Sequence, residues 1–140
     1  MSLEKKLEEL TKKYPAIFEG RTLPNGDVVP FHFECDNGWY DIIDVLCSNI
    51  QRENEMESYR LKREGEEYAP VIASQVKEKF GGLRFYVDGH NDRVSGMITM
   101  AESMSYRTCE VCGKPGRPRR YAWVQTHCED HIDLDRLKSQ

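Results

Sequence analysis

The segment CEVCGKPGRPRRYAWVQTHCEDH, Cys109 to His131, constrains this chain more than any other. It holds two ligand-type pairs, Cys109–Cys112 and Cys128–His131, with fifteen residues between them. C-x2-C on a tight turn presents two thiolates at the separation a tetrahedral ion needs, and Gly113 lets the backbone turn beneath them. Arg119–Val124, where Tyr121 and Trp123 alternate against Ala122 and Val124, reads as an intervening hairpin. Cys128 and His131 then open a helical stretch, CEDHIDLDRLK, with Ile132 and Leu134 or Leu137 facing inward. Residues three apart on a helical turn point the same way, so both can reach one ion. The four residues are expected to bind one Zn²⁺, and a filled shell leaves no open position for water, which makes the ion structural. His127 competes as a ligand, but its offset of one residue from Cys128 turns it to another side of the helix.

At 140 residues the chain suits one domain with a small appendage, read as an α+β body over 1–106 and a finger with a C-terminal helix over 107–140. Five cysteines, and no apolar run of signal-peptide length at the start, point to metal ligands and buried thiols in a cytoplasmic chain rather than disulfides. No stretch is apolar enough for a membrane span. The net charge of −4 argues against a dedicated non-specific DNA binder. A local basic patch remains open, because Lys114, Arg117, Arg119 and Arg120 cluster between the ligand pairs beside Tyr121 and Trp123. Basic groups interleaved with aromatics hold phosphates and stack bases. The plainer reading is a solvated knuckle with Trp123 packed under the metal.

Leu3, Leu7, Leu10 and Tyr14 make one helical stripe, with Ser2 as its cap, Glu4 in its first turn, and Pro15 ending it. Gly26 suits a turn, and Phe31, Phe33 and Cys35 alternate as on an edge strand or extended segment after Pro30. Trp39, Ile42, Ile43, Leu46, Cys47 and Ile50 define the clearest helix, capped by Asp36 or Asn37, with the charged residues 51–69 as its solvated extension and a loop. VIASQVKEKFGGLRFYVDG reads as two strands with a turn at Gly81–Gly82, Leu83, Phe85 and Val87 on one face, Arg84 and Tyr86 on the other. A third helix follows an Asn91 or Asp92 cap, burying Val94, Met97, Ile98, Ala101 and Met104 or Ser105, with its methionines filling core gaps. The sum is a small antiparallel sheet packed by two or three helices, followed by the metal-stapled finger.

Knuckle, hairpin and helix in that order resemble a treble-clef or zinc-ribbon-like finger. CDNGWYDIIDVLC, SQVKEKFGGLRFYVDG, AESMSYRTCEVCGKPGRPR and THCEDH, occurring in this order from about Asp36 to His131, resemble a widespread family of small proteins of tailed phages and prophages. The resemblance implies a phage accessory protein of the bacterial cytoplasm, in a setting where small proteins bind and disable host factors. It carries no activity to transfer residue by residue. Beside it stands the reading of the residues themselves. Lys77, Lys79 and Arg84 with Trp39, Tyr40 and Tyr86 are candidate contacts for a host protein or a small anionic, nucleotide-like ligand. The finger loop is the alternative, nucleic-acid surface. An enzyme would need His32 or His90 beside Glu34, Asp88 or Asp92, and no P-loop, nucleophile elbow or H-E-x-x-H is present. His32–Glu34 spells the H-x-E of zinc deaminases, but Thr108 stands where their proline precedes C-x2-C.

Overall fold

A computed structural model describes residues 6–138, and the chain folds as α+β. Leu7, Leu10 and Tyr14 are buried as their spacing requires, around the short helix α1 (Glu9–Lys13). Ser2, Leu3 and Glu4 lie outside the described residues. Strands β1 (Arg21–Thr22) and β2 (Val28–Val29) form a small exposed ladder closed by the turn at Gly26, whose φ is +92°.

Helix α2 (Tyr40–Arg63) is entered through one 3-10 turn, Asn37–Trp39. Neither Asp36 nor Asn37 caps it through its side chain, contrary to expectation. Asn37 Oδ1 accepts instead from the Leu7 backbone N–H at 3.0 Å, a tie to α1 that outweighs the local cap. The apolar stripe behaves as read: Trp39, Ile43, Leu46, Cys47 and Ile50 are buried, and burial raises the Cys47 thiol well above its ordinary pKa. The charged extension runs as solvated helix to Arg63.

Strands β4 (Ile72–Lys79) and β5 (Gly82–Asp88) pair antiparallel, while β3 (Phe33–Glu34) pairs parallel to β4, so the sheet is mixed with β4 in the middle. The long helix α2 joins β3 to β4 as a crossover, and a crossover returns the chain in the same direction. Val76, Leu83 and Phe85 face the core, where Phe85 also meets the edge of Phe18. Tight-turn chemistry appears one residue earlier than expected. Phe80 and Gly81 hold the positive φ values, +54° and +88°, and Lys79 pairs with Gly82. Phe80 thereby accepts a strain of roughly 1–2 kcal/mol. Gly82 is needed for space, since a Cβ there would lie 2.3 Å from the Tyr106 ring.

Helix α3 (Asp92–Ser105) begins at an Asn91 cap whose Oδ1 accepts from the Arg93 and Val94 N–H groups at 2.9 and 3.1 Å. Ser105, not Met104, completes its inner face: Ser105 Oγ accepts from the Leu83 N–H at 2.8 Å and Glu102 Oε2 accepts from that of Phe85 at 2.9 Å. The open edge of β5 is thus satisfied by side chains of α3. Met97 is half-buried against the core, but Met100 and Met104 stand exposed, so gap-filling describes only the first. Among the described residues no helix is long and apolar enough to cross a membrane.

Candidate metal centre

The finger hangs on two turns and one short hairpin. In the first turn the Gly113 N–H donates to the Cys109 carbonyl (2.9 Å) and the Cys109 N–H to that of Lys114 (2.8 Å), with Gly113 at φ +85°. In the second the His131 N–H donates to the Cys128 carbonyl at 3.2 Å. Between them β6 (Arg117–Arg119) pairs antiparallel with β7 (Gln125–His127). The hairpin therefore lies outside Arg119–Val124 for the most part, and residues 120–124 are its loop. In its register Arg117 sits opposite His127, next to Cys128. The pair Cys128–His131 occupies a single turn rather than a helix. Helix α4 (Leu134–Lys138) starts only at Leu134, which is exposed rather than inward.

These turns bring Cys109, Cys112, Cys128 and His131 together, with their ligand atoms all within 4.8 Å of one another. The three cysteines are buried and His131 is half-buried. Cys112 Sγ lies 3.6 Å from Cys128 Sγ, and His131 Nδ1 lies 3.3 Å from Cys128 Sγ and 3.7 Å from Cys109 Sγ. Four donors this close, buried and otherwise unoccupied by the fold, are compatible with a metal ion. Burial alone would raise the Cys128 thiol, but hydrogen bonds from His131, Cys112 and the Asp130 backbone outweigh it and bring it down to about 7. Burial pushes Cys112 up to about 11. Of these two thiols Cys128 gives up its proton the more readily, as a metal-binding thiolate must. His127 stays out of the cluster, since its Nδ1 lies 2.8 Å from Tyr121 Oη and burial lowers its pKa.

Glu110, inside the first turn, clasps the finger to the body. Its carbonyl accepts from the Gly38 N–H (2.7 Å), its Oε2 from the Asp36 N–H (3.0 Å), and its own N–H reaches the Thr126 carbonyl (3.0 Å). Burial raises its carboxyl to about 7, and Oε1 has no hydrogen-bond partner among the described residues. Gly38 is required here, because a Cβ would fall 2.2 Å from the Cys109 carbonyl oxygen. Trp39 Nε1 donates to the Thr108 carbonyl at 2.9 Å. Nothing in the sequence marks Glu110 or Gly38 for this part, since their partners are far away along the chain.

The remaining candidates separate. Trp39 is fully buried and offers no surface, which corrects its place among the contacts. Its position in the apolar stripe of α2 and its bond to Thr108 draw it into the core. Tyr40 is half-buried, and burial with the nearby Asp44 raises its phenol pKa. Lys77, Lys79, Arg84 and Tyr86 share one face of the β4–β5 hairpin, with Lys77 opposite Arg84 and Tyr86 opposite Gln75. Arg84 Nη2 donates to Tyr106 Oη at 3.0 Å, a bond that raises its pKa.

In the finger loop, Lys114 pairs with Asp130 at 3.1 Å and Arg117 approaches Glu129 at 3.9 Å. Arg119 is only 5% exposed, held by the His127 carbonyl and Glu129, so it is structural rather than a reader. Arg120 stays exposed. Trp123, expected beneath the metal, is 64% exposed. His90 and Asp92 meet at 3.0 Å but stand 83% and 94% exposed, and Glu34 accepts from Gln75 rather than facing a histidine. No family model, curated protein or solved structure matches the chain.

Proposed function

We propose that the chain is a non-enzymatic binding protein, a phage accessory protein of the bacterial cytoplasm. A Zn²⁺ ion staples its finger, and it captures a host factor or a small anionic, nucleotide-like ligand. The donor set supports the zinc staple. Zn–S bonds of about 2.3 Å in a tetrahedron put ligand atoms roughly 3.7 Å apart. The sulfur–sulfur contact here is 3.6 Å and the sulfur–nitrogen contacts are 3.3 and 3.7 Å. Three thiolates and an imidazole are soft or borderline donors, suited to zinc and not to calcium or magnesium. A bound Zn²⁺ with four protein ligands supplies folding energy and no open coordination position.

For the ligand, the face carrying Lys77, Lys79, Arg84 and Tyr86 is better placed than the finger loop. No ion pair among the described residues engages Lys77 or Lys79, whereas Lys114, Arg117 and Arg119 each face a carboxylate. Cations already neutralised by Glu129 and Asp130 have little left for phosphate. Native mass spectrometry of the chain purified without chelator should show one zinc and any co-purifying ligand. Lys77→Glu with Arg84→Glu should strip that ligand and leave the zinc. A chain without stoichiometric zinc overturns the staple, and a ligand retained by the double variant overturns the face.

A further inference from the structure

The hairpin turn and the finger loop press together at one junction. Thr126 Oγ1 donates to the Gly81 carbonyl at 2.6 Å, and Val124 Cγ1 lies 2.9 Å from where a Gly81 Cβ would stand. Phe80 precedes Gly81 and Trp123 precedes Val124, so two aromatic residues flank this contact. They are 68% and 64% exposed, and the core uses neither. Phe80 is also held at φ +54°, a region bulky side chains avoid. The Tyr106 ring over Gly82 fixes the turn at this pair, and the Phe80 ring is thereby held in solvent on a strained backbone.

Each ring carries its own cation. Lys79 Nζ lies 5.6 Å from the centre of the Phe80 ring. The Arg136 guanidinium lies 5.0 Å from the Trp123 ring and 4.0 Å from that of Tyr121. Tyr121 is in turn buried, its Oη accepting from the Asp133 N–H at 2.9 Å. The stack Tyr121–Arg136–Trp123 therefore holds the indole in place while most of its surface meets solvent.

We propose that Phe80 and Trp123 are a stacking platform for the bases of a single-stranded nucleic acid, with Lys79, Lys77, Arg84 and Arg120 taking its phosphates. This rests on the reading of the Lys77–Arg84 face as an anion-binding surface and names the ligand class. Aromatic rings beside cations bind unpaired strands because every base has a π-face to stack, and duplex bases are not free to do so. A protein partner is the other occupant that exposed aromatics serve. Lysine is depleted at protein interfaces, however, and here Lys79 sits by the Phe80 ring with Lys77 on the same face. The chain's net charge of −4 weakens long-range attraction, so binding is local and salt-sensitive.

The test is fluorescence anisotropy of a labelled short oligothymidylate with the full zinc-loaded chain at low salt. Intrinsic emission gives a second readout, because of the two tryptophans only Trp123 is exposed. The single strand should quench it, and affinity should fall with slope about −0.7 per phosphate neutralised on a log–log salt plot. Phe80→Gly suits the turn's φ, so its melting temperature should stay at or above the wild type's, while affinity drops between about 5- and 150-fold. Trp123→Ala should weaken binding in the same range. Several results overturn the proposal: no binding at low salt, equal binding of duplex, or Phe80→Gly binding as the wild type does. If Phe80→Gly changes nothing while the Lys77→Glu, Arg84→Glu variant loses its ligand, the platform falls and the anion-binding face stands. Capture of a protein lost in Trp123→Ala, with no oligonucleotide bound, assigns the site to a protein and likewise overturns it.

Discussion

The body and the finger are held together by different physics. In the body, 18 buried apolar residues from Leu7 to Ala101 form one core. In the finger, the buried apolar cluster is Cys109, Cys112 and Cys128, and beside it Glu110, Arg119, Thr126 and His127 are buried polar groups. Apolar surface withdrawn from water stabilises the first region. The second buries polar groups that need partners, and its three sulfurs lie with His131 in a cluster compatible with an ion. Yet the two are not independent, since Gly38, Trp39 and Asp36 of the body bond directly to Thr108 and Glu110 of the finger. If the proposed zinc is lost, the disturbance should start in the finger and reach the core past Trp39.

The largest effect should come from the metal. A structural zinc site is worth on the order of 10 kcal/mol, so Cys112→Ser, or a chelator on the native chain, should disorder the finger. Trp39 emission should move to the red as Thr108 withdraws from its N–H, while far-UV circular dichroism keeps most of the signal of α2 and α3. Simultaneous collapse of both signals would show that the two regions are one cooperative unit. Next comes the core: Leu46→Ala, at a 4% exposed position, should cost about 2–5 kcal/mol in chemical denaturation without changing zinc content.

Gly38→Ala sharpens the coupling between the regions. Its Cβ would press on the backbone of Cys109 and Glu110 at 2.2–2.4 Å, and overpacking of this kind costs about 1–3 kcal/mol. Unlike Leu46→Ala, it should also speed zinc loss to a chelator, a rate that stopped-flow with a metal dye measures. Equal rates in the two variants would mean that the clasp does not support the metal centre.

The smallest effect stays inside the body. Tyr14 Oη donates to Asp44 at 2.5 Å, and burial, with that bond, pushes the phenol from 10 up to about 12. The folded chain keeps this proton to higher pH than the unfolded chain. The contribution is therefore intact below about pH 10 and lost as pH rises through about 12. Tyr14→Phe should cost roughly 1 kcal/mol at neutral pH and flatten the alkaline decline in stability. Parallel stability curves for the two proteins across that window would remove Tyr14 from the account.

Much of this was legible in the chain because it depends on local spacing. The periodicity of residues 39–50 places Ile43, Leu46, Cys47 and Ile50 on one buried stripe, and the C-x2-C and C-x2-H pairs place four donors on two turns. Other features were ambiguous by one residue. The letters Phe80-Gly81-Gly82 permit a turn at either pair, and the Tyr106 ring over Gly82 selects the first. Met104 and Ser105 are both reasonable inward positions until Ser105 Oγ takes the Leu83 N–H.

By itself, then, the sequence determined what depends on periodicity and ligand type: the core stripe of α2, a cap at Asn91 or Asp92 and the four-donor cluster. Only the tertiary structure decided which groups remain free for a partner. Arg119 and Arg120 are adjacent letters of one basic run, but Glu129 and the His127 carbonyl bury the first and leave the second in solvent. Trp39 and Trp123 are equally large aromatics, but Thr108 holds one in the core while Arg136 holds the other outside it. In each pair the difference comes from a partner many residues away, and a charge or a ring is spent or free only once the fold has brought that partner to it.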